Sequence, residues 1–249
     1  METSITPKDF QKLAIARSGT YGFLASAYLK SPTDDHAKKL LEGGLTVDLK
    51  HPAIAHEESG DITDGFQILS RYIADSHGKS PRDLSEELAV EWTRLFRGVK
   101  RGYGPPPPYE SVYGEAQQTM GRPATEVSKL YAEAGAGLSK ELHELPDYIG
   151  VELDSMRFMC AKEADAWSLS KIEESRSMLQ LERRLLKEHL AAWVPKFCDV
   201  AFEEAKNGFY RAVLKITKGV VLSETALIDD LIETAESIAY AARSVPQKE

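Results

Sequence analysis

From Lys8 to about Arg243, apolar residues recur at helical spacing with few interruptions, and no segment alternates apolar and polar residues between hairpin turns. A chain patterned this way can fold in one manner, as helices that bury their apolar stripes against one another. The first stripe, Phe10, Leu13, Ala14, Ile15, Tyr21, Leu24, Ala25, Tyr28 and Leu29, predicts a helix over Lys8–Lys30. Ser31-Pro32-Thr33-Asp34 stops it and offers Thr33 or Asp34 as the next N-cap. Further helices are expected over His36–Leu45 and Asp61–Ser76, followed by one that opens at Ser80-Pro81 and carries Leu84, Leu88, Trp92, Leu95 and Phe96. Thr125–Ala134, Asp147–Ser168, Ile172–Trp193, Pro195–Asn207 and Phe209–Leu222 come next, then a last helix from Ser223 to about Arg243. Lys50–Ser59 reads as a loop. The expectation is an all-α, single-domain helical bundle of about ten helices over residues 1–249.

One stretch breaks the pattern. Gly102, Gly104 and the four prolines Pro105–Pro108 cannot be helical, so a long, stiff loop is expected over residues 98–112. Tyr103, Tyr109 and Tyr113 flank the prolines and supply flat contact surface. That combination suits a peptide-binding edge, and equally a rigid loop packed on the core.

Charge narrows the partners. Lys and Arg number 31 against 39 Asp and Glu, a net −8, which argues against nucleic acid or anionic lipid as a partner. Between Glu141 and Asp165, seven carboxylates (Glu141, Glu144, Asp147, Glu152, Asp154, Glu163, Asp165) face only Arg157 and Lys162. Two readings stay open: solvated helix faces, or an acidic groove for a cationic partner. No apolar run approaches the roughly 18 residues of a membrane span. The first residues lack the basic and apolar regions of a secretory signal, and Cys160 and Cys198 fit no metal or redox spacing, so a reducing cytoplasm is expected.

The chemistry of known enzyme sites is missing. None of the six histidines lies in HxxxH, HExxH or ExxH spacing, and Asp48-Leu49-Lys50-His51 stands alone. There is no phosphate loop and no GxSxG elbow, and Cys160 shares a helical stripe with Met156 and Met159 as an inert thiol would. No metal, no cofactor and no catalytic residue is expected.

Two groups of residues carry more than composition. Glu91-Trp92-Thr93-Arg94-Leu95-Phe96 followed by Pro107-Pro108-Tyr109-Glu110-Ser111-Val112-Tyr113 resembles the central signature of the TorD/DmsD/NarJ-type chaperones. Pro146-Asp147-Tyr148-Ile149-Gly150-Val151-Glu152-Leu153 is similar to their second signature, usually Pro-Asp-His followed by a helix containing Val-Glu-Leu. His189-Leu190, Trp193, Pro195, Phe197-Cys198 and Phe209-Tyr210 resemble their C-terminal pattern. The resemblance implies an all-helical cytoplasmic chaperone of anaerobic respiration. Its partner would be the apo-precursor of a molybdopterin-containing oxidoreductase subunit, bound through its twin-arginine signal peptide and held back from export until cofactor insertion. Family binding residues carry over to Tyr109, Glu110, Ser111, Asp147 and Tyr148, where Tyr148 replaces the usual His and leaves a hydroxyl and a flat ring. Glu152 beside Asp147 would accept guanidinium hydrogen bonds, and Tyr109, Val112, Tyr113, Phe96 and Tyr21 would line an apolar groove. Weak nucleotide hydrolysis and a structural subunit of a redox complex are the alternatives. Monomer and domain-swapped dimer both stay open.

Overall fold

The computed structural model describes residues 5–43, 60–98, 102–114, 121–137 and 144–244. The loop expected at Lys50–Ser59 and the Asp48–His51 pair lie outside the described residues. Within them the chain is helical, as its periodicity predicts: α1 (Pro7–Leu29), α2 (Asp34–Leu41), α3 (Gly60–Asp75), α4 (Pro81–Phe96), the single turn α5 (Glu110–Tyr113), α6 (Arg122–Glu133), α7 (Ile149–Ser168), α8 (Ile172–Arg184), α9 (Ala191–Glu204) and α10 (Gly208–Ser244). Thr6 closes a capping box with Asp9 at the start of α1, Thr33 caps α2, and Ser80 caps α4 ahead of Pro81 at the first turn.

α1 lies along α7, α3 along α10, and α2 against α4. α7 is the central helix: Ile149, Val151, Leu153, Met156, Met159 and Cys160 are all buried, and its first turn, Ile149 to Leu153, has no solvent face. An aromatic chain forms the middle of the core. Tyr28 packs on Phe96 (5.0 Å between centroids), Phe96 on Tyr210 (5.4 Å), and Phe197 on Tyr113 (5.4 Å) and Trp193 (5.9 Å). These tilted and edge-on pairs each add about 0.5–1.5 kcal/mol beyond the area they bury. They also join the loop residue Tyr113 to helices α1, α4, α9 and α10.

Two expected breaks are absent. Between α8 and α9 the ladder widens into a π turn at Leu185–Leu190, with the Ala191 N–H donating to Leu186 O, and the chain continues helical through Pro195. A proline that loses one ladder bond can sit inside a helix when its faces are buried, and Trp193, Val194 and Phe197 around it are fully buried. Likewise α10 runs unbroken past Ser223-Glu224, because Glu224 points into the core rather than opening a new helix. The loop expected over 98–112 is shortened by one helical turn at Glu110–Tyr113.

Candidate functional site

The two signature stretches meet. Pro108–Glu110 and Asp147–Ile149 lie antiparallel: the Ile149 N–H donates to Pro108 O at 3.0 Å and the Glu110 N–H to Asp147 O at 2.9 Å. This is an isolated bridge between Tyr109 and Tyr148, whose rings lie 5.2 Å apart. The proline loop reaches this position by packing on the C-terminal end of α4. Gly104 has to be glycine there, because a Cβ would fall 2.1 Å from Arg94 O, and Gly98 turns the chain at φ +57 under Pro107.

The carboxylates at the junction face inward. Asp147 is 1% exposed and its Oδ2 accepts from the Ser111 N–H at 3.2 Å, so it caps α5 across the junction. It does not cap the helix that follows it; Tyr148 holds the N-cap position of α7 without a side-chain bond. Glu110 is buried with Oε2 2.9 Å from His189 Nδ1. Glu152 is fully buried, and its Oε2 accepts from the Trp193 indole at 3.2 Å. Burial, followed by the charges of Glu110 and Asp147, holds the Glu152 pKa well above the usual carboxylate range, which favours the protonated acid. A client arginine cannot reach Asp147 or Glu152 in this conformation.

Tyr148 is also internal. Its hydroxyl donates to Tyr28 O at 2.8 Å, and the Trp92 indole donates to the same carbonyl at 3.2 Å. Tyr28 lies in the last turn of α1, where carbonyls have no partner within the helix, so the two donors close that end. The hydroxyl and ring that replace the family's His are therefore structural. Tyr113 is buried with its hydroxyl on Pro106 O at 2.7 Å. Phe96 and Tyr21 do not line a groove. Phe96 is inside the aromatic core, and Tyr21 is fully buried with its hydroxyl 3.4 Å from Glu224.

What reaches the surface is a rim. Val112 is 41% exposed, Leu145 48% and Tyr103 55%, with Pro106 exposed and Ser111 and Tyr109 half-buried. The Tyr109 hydroxyl donates to Glu144 Oε2 at 2.9 Å, and its pKa is pushed up to about 12 by burial and by that bond. Arg97 pairs with the other oxygen of Glu144 and lies 5.3 Å over the Trp92 ring.

The acidic stretch is not a groove. Asp147, Glu152 and Glu163 are buried, Glu144 is held by Arg97, Asp154 pairs with Arg157, and Glu141 lies outside the described residues. The pairing of Glu144 with Arg97, 47 residues apart with no shared pattern, could not be read from the sequence. Nor could the reason why Glu91 and Arg94 belong to a signature. Glu91 Oε1 accepts from the Lys206 N–H at 2.6 Å, and Arg94 donates to Glu204 O at 2.6 Å, so the pair closes the turn between α9 and α10. Among the described residues, no three His, Cys, Asp or Glu side chains are placed to hold a metal ion, and no helix is long and apolar enough to cross a membrane.

Residues 59–199 match the nitrate reductase delta subunit family. Over 220 residues the chain is 26% identical to a chaperone protein TorD of Vibrio cholerae, covering 87% of this chain and 94% of that one. It is 30% identical to the chaperone protein TorD of Vibrio parahaemolyticus over 135 residues, 54% of this chain and 60% of that one. The TorD of Aliivibrio fischeri is 23% identical over 157 residues, 63% of this chain and 70% of that one. With the match covering more than half of the chain and both signatures joined at one junction, the protein belongs to the TorD/NarJ family and is a chaperone rather than an enzyme.

Proposed function

We propose that this chaperone serves the maturation of a molybdopterin-containing oxidoreductase subunit. It binds the apo-precursor in the cytoplasm, through the twin-arginine signal peptide, and holds it until the cofactor is inserted and before export. The observation that carries this reading is the junction itself. Two loop segments are clamped by main-chain bonds onto a buried acid cluster, while Tyr103, Pro106, Val112 and Leu145 stand out around them. A rigid base with an exposed apolar and aromatic rim suits an extended peptide with an apolar stretch, because little entropy is lost on the chaperone's side.

Within this reading the site residues divide the work. Tyr109, Ser111 and Val112 face the peptide. Glu110, Tyr113, Asp147, Tyr148 and Glu152 hold that surface in place from beneath.

The test is a calorimetric titration of the chain with its precursor, with and without the signal segment. Signal-dependent binding is expected, weakened at least tenfold by Val112→Asp or Leu145→Asp. Equal affinity for the two precursors would sink the signal-peptide reading. Capture of mature, cofactor-loaded enzyme at fixed stoichiometry would favour a structural subunit, a role that the family's description as a subunit keeps in view.

A further inference from the structure

We propose that Glu144, Tyr109 and Trp92 form a guanidinium site that the chain's own Arg97 fills in the free protein and vacates for an arginine of the client. The site rests on its own geometry. Only the identity of the client rests on the signal-peptide reading.

The acceptor side is fixed. The Glu144 side chain is 9% exposed, and one of its oxygens is held by the Tyr109 hydroxyl at 2.9 Å. The Trp92 ring is locked by its indole bond to Tyr28 O. The occupant is not fixed in the same way. The Arg97 side chain is 36% exposed and sits at the C-cap of α4, where the helix carbonyls favour any cation.

Arg94, one turn earlier, shows what a purely structural arginine looks like in this fold. Its side chain is 6% exposed, it binds both oxygens of Glu91, and it donates to the Glu204 carbonyl. Arg97 instead lies between the Glu144 carboxylate and the Trp92 ring face, and Glu144 is followed in the chain by the exposed Leu145. A planar guanidinium satisfies carboxylate and ring together. An ammonium is a compact, strongly hydrated charge and fits the pair less well, so arginine is preferred to lysine. An exchange of one guanidinium for another leaves Glu144 paired throughout, which avoids stranding a largely buried carboxylate.

The test uses the full chain at low salt, with N-acetyl-Arg-Arg-amide as the probe and N-acetyl-Lys-Lys-amide as its counterpart. Arg97→Ala empties the site and is expected to bind the arginine probe at least tenfold more tightly than the wild type, with arginine preferred to lysine. Adding Glu144→Gln should abolish the gain. Arg97→Gln keeps a neutral donor toward Glu144 and should shift affinity in the same direction, which covers the case in which the alanine variant fails to fold. Affinity unchanged in both Arg97 variants, or binding indifferent to Glu144→Gln, overturns the proposal. The precursor titration separates the two readings. Signal-dependent precursor binding without any gain in arginine-probe affinity in the Arg97 variants leaves the client and removes the site. Arginine-probe binding through Glu144 with signal-independent precursor binding leaves the site and removes the client.

Discussion

At Glu152 one carboxylate oxygen accepts from Trp193, and the other has no hydrogen-bond partner among the described residues in the wholly buried site. Ionising such a group costs far more than one indole bond returns, so the neutral acid is the form that fits. Its folded pKa lies above its unfolded one, so the folded chain keeps a proton that the unfolded chain releases. The stability it contributes is complete below the unfolded carboxylate value and is lost as pH rises through the folded value. The limiting slope is about 1.4 kcal/mol per pH unit per proton. Urea unfolding at pH 5, 7 and 9 should therefore show declining stability, and Glu152→Gln should flatten that decline; an identical slope in both proteins would contradict the assignment. The signal for such residues was present in the sequence but easy to pass over. Arg17 falls in phase with Phe10, Ala14, Tyr21, Leu24 and Tyr28 on the stripe of α1, as Glu152 and Glu163 do with Ile149, Met156 and Cys160 on α7. A charge in phase with an apolar stripe marks a buried group. What it pairs with depends on packing that no one-dimensional pattern carries.

At the scale of elements, most helices were legible because their stripes and caps are local. Their ends at Thr6, Thr33 and Ser80 follow from short-range hydrogen bonds. The misplaced ends at Pro195 and Ser223 share one cause. A local stop signal was overridden by burial, since the residues on both sides pack into the core and a break would expose them. The proline loop behaves in the opposite way: its irregularity was plain, while its path was set by one close approach. Gly104→Ala places a methyl group against the Arg94 carbonyl, which cannot move without breaking the end of α4. The loss should be at least about 2 kcal/mol, read as a lower urea midpoint, with weaker precursor binding because the loop no longer lies flat. Gly102→Ala meets no atom within 4 Å and is strained only by its positive φ, so it should cost less.

Across the whole molecule, a second buried cluster ties four helices together. Arg17 from α1 pairs with Glu163 of α7 at 3.0 Å, Glu182 of α8 at 2.7 Å and Glu224 of α10 at 2.8 Å, all with side chains 1% exposed or less. Burial, with the neighbouring carboxylates adding to it and Arg17 opposing it, raises the pKa of both Glu163 and Glu182, which favours their protonated forms around the one guanidinium. Arg17→Leu removes the guanidinium that pairs with all three carboxylates and should destabilise by about 3–5 kcal/mol. The loss should be larger at pH 8 than at pH 5, where the carboxylates are more readily neutral; a pH-independent loss measured by thermal unfolding would argue against retained protons. Single-domain cooperativity is the matching expectation for residues 1–249, checked by coincident fluorescence and far-ultraviolet transitions. The main-chain clamp between Pro108–Glu110 and Asp147–Ile149 bears on how such a protein changes its client over evolutionary time. Main-chain amide and carbonyl groups belong to every residue but proline, which lacks the N–H, so the clamp survives exchanges at Ser111, Val112 and Leu145 to residues other than proline. Selection can vary those outward positions to follow a drifting partner, while Asp147 and Glu152 are buried beneath them. Retargeting by substitution at the rim alone is thus open to the laboratory as well as to descent.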